Sequence, residues 1–142
     1  MEPTPAAEDC TRIRVRYCEC DPMGVAHHAS YIPWFELART ELLRNRGTRY
    51  ADLERDGVLL MVTRMDVRYK ASVAYDDVVE IQTRTDHVGR ARLRHAYELR
   101  VIESGSEAVE RPIAAEASIE LACCDATGRP RPLPDALRQH EG

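Results

Sequence analysis

The sequence predicts an α+β fold: a five-stranded antiparallel sheet with one long helix laid across its apolar face. Three observations lead there. A strong helical period occurs once, near the N-terminus. One stretch of period-two alternation precedes it and four follow. Each alternating stretch has one apolar and one polar face, as expected of an antiparallel sheet covered on one side only.

Residues 1–10 read as a tail of Pro, Ala and acidic residues without periodicity. Ile13, Val15 and Tyr17 then alternate with Arg12, Arg14 and Arg16, which predicts the first strand. Residues 19–30 break the pattern, and Asp21-Pro22 and Gly24 mark a loop rich in turns. Tyr31, Trp34, Phe35, Ala38 and Leu42 follow helical spacing, with Glu36, Arg39, Glu41 and Arg44 on the polar side. Pro33 fits the first turn, Ser30 is a candidate N-cap, and Gly47 ends the helix. A short helical turn follows over 49–56.

Beyond Gly57 the alternation is continuous. Met61, Thr63, Met65, Val67 and Tyr69 form one face, against Arg64, Asp66 and Arg68. Strands centred on Ile81, Tyr97 and Ala117 follow, separated by turns at 71–77, 88–90 and 103–112. A Pro-rich segment then leads into a short helix at 135–140. One helix covers only part of a five-stranded face, so an edge strand and apolar area remain for a second copy, giving a homodimer or homotetramer. Residues 11–142 are expected to form one domain, without internal repeats.

Composition narrows the function. The chain has 142 residues, 20 basic and 24 acidic, for a net charge of −4. Duplex nucleic-acid binding calls for a basic excess that is absent here. Lys70 is the single lysine, and no Gly-rich phosphate loop accompanies it. No run approaches the 18 apolar residues of a membrane span. Five cysteines and an N-terminus without a basic-then-apolar leader give the expectation of a reducing cytoplasm.

Residues with chemical potential concentrate between Tyr17 and Tyr31. Cys18, Cys20, His27 and His28 match no common zinc spacing, so no metal is expected. A Cys–His nucleophile is set against plain burial of the cysteines, which behave as small hydrophobes. Asp21 is the stronger candidate. A carboxylate just before a helix lies near unpaired N–H groups that can stabilise an oxyanion. The bland reading is that Asp21 only initiates an Asx turn before Pro22.

The stretch RVRYCECDPMGVAHHASYIPWFELARTELLRNRG resembles the signature of hotdog-fold acyl-CoA thioesterases of the 4-hydroxybenzoyl-CoA and YbgC type. The matching positions are Tyr17, Asp21, Gly24, Val25, His28 and Tyr31, followed by Trp34-Phe35-Glu36-Leu37-Ala38-Arg39. Tyr75-Asp76-Asp77 and the segment from Gly128 to Pro132-Leu133-Pro134 add weaker matches, and the whole covers residues 12–137. The resemblance implies a hotdog fold, a sheet wrapped around one central helix, and hydrolysis of acyl-CoA without a cofactor. It implies that Asp21 is the nucleophile or general base. The His28 N–H would polarise the carbonyl, with Gly24 and Val25 shaping the loop.

Tyr31 is read either as part of this catalytic set or as core. Met61 and Thr63 are candidate lining residues of the acyl chamber, set against plain core, and Met65 belongs with them. Arg90 and Arg92 align with a basic segment that touches the nucleotide in relatives, where a guanidinium suits phosphate. Arg129 and Arg131 are weaker candidates. His27, Ser30, Ser72 and Val73 depart from the family pattern and bear on the shape of the acyl pocket. The alternatives are hydrolysis of acyl-ACP and a non-catalytic hotdog protein that binds acyl-CoA.

Overall fold

The computed structural model describes residues 8–138. Strand β1 (Glu8–Arg14) is followed by two single turns of 3-10 helix, Tyr17–Glu19 and His28–Ser30, and by the long helix α1 (Tyr31–Asn45). Next come α2 (Tyr50–Arg55), β2 (Leu59–Tyr69), β3 (Val78–Val88), β4 (Arg92–Ser104), the two-residue β5 (Glu107–Ala108), β6 (Ala115–Cys124) and α3 (Asp135–Arg138). The sheet runs β1-β3-β4-β6-β2, with β5 paired to β4 alone. All pairings are antiparallel. The five long strands and the helix across them match the expected architecture.

Helix α1 forms where the apolar period placed it. Tyr31, Trp34, Phe35, Ala38, Leu42 and Leu43 are buried. They meet the inward sides of β3, β4 and β6, where Val79, Ile81, Tyr97, Leu99, Ile119 and Leu121 are at most 1% exposed. Phe35 is fully buried, and its ring centre lies 4.9 Å from that of Tyr97. Such an aromatic contact adds roughly 0.5–1.5 kcal/mol to the burial itself. At the C-terminal end Gly47 takes φ +87°, and the Thr48 N–H turns back to the Leu43 carbonyl at 2.9 Å.

Several local expectations are corrected. The first strand begins at Glu8, inside the segment assigned to the tail, and ends at Arg14 rather than Tyr17. Backbone pairing to β3, from Glu8–Arg84 to Arg14–Val78, sustains it where apolar alternation is lacking. Arg39, placed on the polar side, is 8% exposed. Its Nε donates to the Tyr50 hydroxyl at 3.0 Å, and its guanidinium lies over that ring, so the neighbouring helix α2 partners the charge. Ser30 does not cap α1. The Ser30 hydroxyl donates to the Glu19 carbonyl at 2.8 Å instead, and His27 caps the preceding 3-10 turn, its Nδ1 accepting the Ala29 N–H at 3.0 Å. Cys123 and Cys124, neighbours on a strand and so expected as one core and one surface residue, are both buried, because Pro130 bridges to Cys124 on the outer side. Of the helix expected at 135–140, residues 139–140 lie outside the described residues.

The main departure is in β2. Its register against β6 shifts between Val62 and Arg64, which leaves Thr63 as a bulge. Cross-strand partners share a face. Leu60 opposes Cys123 and Val62 opposes Leu121, on the inward side. Met61 opposes Ala122 on the outer side and is 54% exposed. Met65 and Val67 return to the inward face opposite Ile119 and Ala117. The bulge therefore breaks the single face expected to run from Met61 to Tyr69.

Candidate active site

The site is built by the loop between β1 and α1. Val15 donates its N–H to the Asp77 carbonyl at 2.8 Å and is 1% exposed, so the chain leaves β1 pinned to the start of β3. Cys20 and Ala26 form an isolated antiparallel bridge that closes a tight loop around Asp21. Within it the Asp21 N–H reaches the Val25 carbonyl, and the Gly24 N–H reaches the Asp21 carbonyl, both at 2.9 Å. Gly24 adopts φ +80°, a conformation that costs a side-chain-bearing residue about 1–2 kcal/mol. The loop is stitched to the segment before β3: Ala26 N–H to Val73 carbonyl at 2.7 Å, Tyr75 N–H to Gly24 carbonyl at 3.2 Å.

Asp21 Oδ1 accepts the Met23 N–H at 2.9 Å. The Asx turn is therefore real, and it fixes one carboxylate oxygen while Oδ2 makes no hydrogen bond among the described residues. After the loop, His27 donates its N–H to the Glu19 carbonyl at 2.8 Å, and Ser30 donates to the His27 carbonyl at 2.9 Å. The His28 N–H between them has no hydrogen-bond acceptor among the described residues. The His28 carbonyl accepts the Tyr69 hydroxyl at 2.8 Å.

Asp21, Val25, Ala26, His28 and Tyr31 line one hollow together with Tyr69, Lys70, Ala71 and Ser72. Its volume is ≈ 410 Å³. Tyr31 is 3% exposed and packs edge-on to Tyr69, ring centres 4.9 Å apart. Burial, aided by Tyr69, pushes its hydroxyl pKa up to about 12, so it remains a neutral phenol. Tyr31 is thus both core and wall.

Five of the residues singled out in the sequence meet here: Asp21, Val25, His28, Tyr31 and Ser72. Gly24 forms the turn behind them. Met61 and Thr63 do not reach this hollow. Met61 is on the outer face, and the Thr63 hydroxyl donates to Glu120 Oε1 at 2.7 Å. Arg90 and Arg92 are also remote within one chain. They follow the end of β3 opposite to Val78, and a strand of 11 residues spans roughly 35 Å. Arg92 pairs with Glu120 at 3.1 Å.

Sequence reasoning missed Tyr69, Lys70 and Ala71 as lining residues. The signals were the end of an alternating strand and the chain's single lysine, whose Nζ lies 2.9 Å from Glu116. A second depression of ≈ 420 Å³, on the outer sheet face, is lined by Arg64, Asp66, Arg68, Arg94 and Glu120 among others. These are solvated charges: Asp66 pairs with Arg68, Glu120 with Arg92 and Arg94 with Asp86.

A thiol nucleophile is disfavoured physically. Burial and the neighbouring Glu19 and Asp21 push the Cys20 thiol up, away from the reactive thiolate. Among the described residues no group of three His, Cys, Asp or Glu side chains is placed to hold a metal ion. No helix among them is long and apolar enough to cross a membrane.

A helix cradled in an antiparallel sheet, with a carboxylate loop at the helix start, defines the hotdog-fold thioesterase class. Residues 15–140 match the thioesterase-like superfamily, and the chain belongs to it. Among curated proteins it is 32% identical over 126 residues to the acyl-CoA thioester hydrolase YbgC of Escherichia coli, covering 88% of this chain and 89% of that one. It is 29% identical over 122 residues to the acyl-CoA thioesterase YbgC of Haemophilus influenzae, covering 85% and 83%. Among solved structures, a DHNA-CoA thioesterase from Staphylococcus aureus superposes with a TM-score of 0.83 at 32% identity, covering 93% of this chain and 87% of that one. The 4-hydroxybenzoyl CoA thioesterase of Pseudomonas reaches a TM-score of 0.83 at 16% identity, covering 94% and 99%, a likeness of fold.

Proposed function

We propose that this chain hydrolyses acyl-CoA thioesters to the free acid and CoA in the hollow beside Asp21. One observation carries the reading: a carboxylate oxygen and an N–H that both lack a hydrogen-bond partner among the described residues line the same hollow. Asp21 Oδ2 attacks the carbonyl directly, or takes a proton from water that does so. The carbonyl oxygen gains charge as the tetrahedral species forms, and the His28 N–H stabilises it. The C–S bond then breaks and CoA leaves as the thiolate. On the direct route this leaves a mixed anhydride on Asp21, which a water hydrolyses to the free acid, restoring the carboxylate; on either route the proton given up by that water ends on the thiolate. Thioesters are reactive enough that these groups suffice without a cofactor.

The working unit in this reading is a homodimer or homotetramer in the cytoplasm. Strand β2 is a sheet edge of 11 residues carrying exposed Met61, Val62 and Tyr69, which supports pairing with a second copy. Arg90 and Arg92, too distant within one chain, would then serve the CoA phosphates from a neighbouring copy.

The test is thiol release from a panel of acyl-CoAs by wild type and Asp21→Asn side by side. The expected result is turnover by wild type and a loss of about 10²–10⁴-fold in the variant, with binding retained. Binding without turnover in wild type would favour an acyl-CoA-binding protein. Release from acyl-ACP alone would move the substrate to the carrier-protein class.

A further inference from the structure

Two positions before Asp21 sits a second carboxylate, Glu19, with a different environment. It is 8% exposed. Its Oε1 accepts the Arg16 N–H at 2.7 Å, and its Oε2 accepts the Trp34 indole N–H at 2.7 Å and an Arg16 guanidinium N–H at 3.4 Å. Its main-chain carbonyl accepts the His27 N–H and the Ser30 hydroxyl, each at 2.8 Å. One residue therefore holds the exit from β1, the first turn of α1 and both neighbours of the His28–Ala29 pair.

A buried carboxylate is costly unless its oxygens are satisfied. Here burial pushes the Glu19 pKa up, but the N–H groups of Arg16 and Trp34 and the Arg16 charge outweigh it and hold it below the usual range. The bonds act where the reaction needs geometry. The His28 N–H lies between the two groups that Glu19 grips and the carbonyl that Tyr69 grips.

We propose that Glu19 is a positioning residue for thioester cleavage: through Trp34 its carboxylate locks the loop onto α1, and through His27 and Ser30 its carbonyl fixes the direction of the His28 N–H. It touches no reacting atom. The inference rests on the reading of the Asp21 hollow as the site of cleavage.

Three variants test it: Glu19→Gln, Trp34→Phe and the double. Gln keeps the length but presents an NH₂ to N–H donors; Phe keeps much of the ring bulk and removes the indole donor. Glu19→Gln is expected to lower kcat about 10²-fold with KM within about twofold, because the contact it sets is made in the transition state. Trp34→Phe is expected to lower kcat about fivefold to tenfold, and the double to be no worse than Glu19→Gln, since both act through one bond. Trp34 is the only tryptophan, so its emission in Glu19→Gln reports loss of that bond directly. A folded Glu19→Gln with wild-type kcat, or with only KM raised, overturns the proposal. If that variant fails to fold, wild-type kcat in Trp34→Phe overturns it. Asp21→Asn run in parallel separates the two levels: full turnover there overturns the hollow as the site, and the role of Glu19 with it.

Discussion

The Tyr69 hydroxyl, at the end of β2, donates to the His28 carbonyl at 2.8 Å across 41 residues of sequence. The bond joins the sheet edge to the turn that starts the central helix. It holds the residue whose N–H has no acceptor among the described residues.

Tyr69→Phe removes that donor and keeps the ring against Tyr31. The net worth of one such bond is about 0.5–1.5 kcal/mol. We expect kcat to fall about tenfold, in line with 1.4 kcal/mol, and global stability to change by less than about 1 kcal/mol because the residue is half exposed. Steady-state kinetics and urea unfolding check this; an unchanged kcat would remove Tyr69 from the account.

Gly24 is required for its backbone, not for lack of room, since a Cβ there would meet nothing within 4 Å. The order of activity and stability is expected to be Gly, then Asn, then Ala, then Val, with Ala about 1 kcal/mol below Gly. A crowding effect would instead rank the variants by size. Thermal unfolding of the series distinguishes the two.

Acid sensitivity follows from Glu19. Its carboxylate is held below the ordinary 4.5 in the folded chain. The unfolded chain therefore takes up the proton first as pH falls, and the stabilisation is full above 4.5 and lost as pH drops through the folded value. Unfolding free energies of wild type minus Glu19→Gln, measured from pH 7 to pH 3, should shrink across that window. A constant difference would contradict the assignment.

Arg90→Ala with Arg92→Ala is expected to raise KM for acyl-CoA and flatten its dependence on salt, leaving kcat nearly unchanged. The exposed Arg92–Glu120 pair is a weak competitor for such a role. The same salt slope in wild type and the double variant would exclude the phosphate contact.

The helix and its buried face could be read from spacing alone, because Tyr31, Trp34, Phe35 and Ala38 repeat at intervals that only one backbone geometry brings together. The turn that carries Asp21 was legible too, from Pro22 and Gly24 ahead of a helix. What stayed hidden depends on partners remote in sequence. Arg39 is buried because Tyr50 waits on another helix. Glu19 has meaning only once Trp34 is folded beside it. Ser30 looked like a cap, but its hydroxyl turns to the Glu19 carbonyl, eleven residues back. Met61 and Thr63 were misplaced because a bulge is a property of two paired strands, not of one.

That bulge has a consequence for how the segment can vary in length. Thr63 is the residue that β2 has to spare. Deleting it would bring Val62 next to Arg64 and close the ladder into regular pairing, with Val62 still opposite Leu121 and Arg64 still opposite Glu120. Leu60 and Val62 would stay inward and Met61 outward. The same loss at Asp66, inside the regular ladder, would turn one half of the strand over, lining for surface.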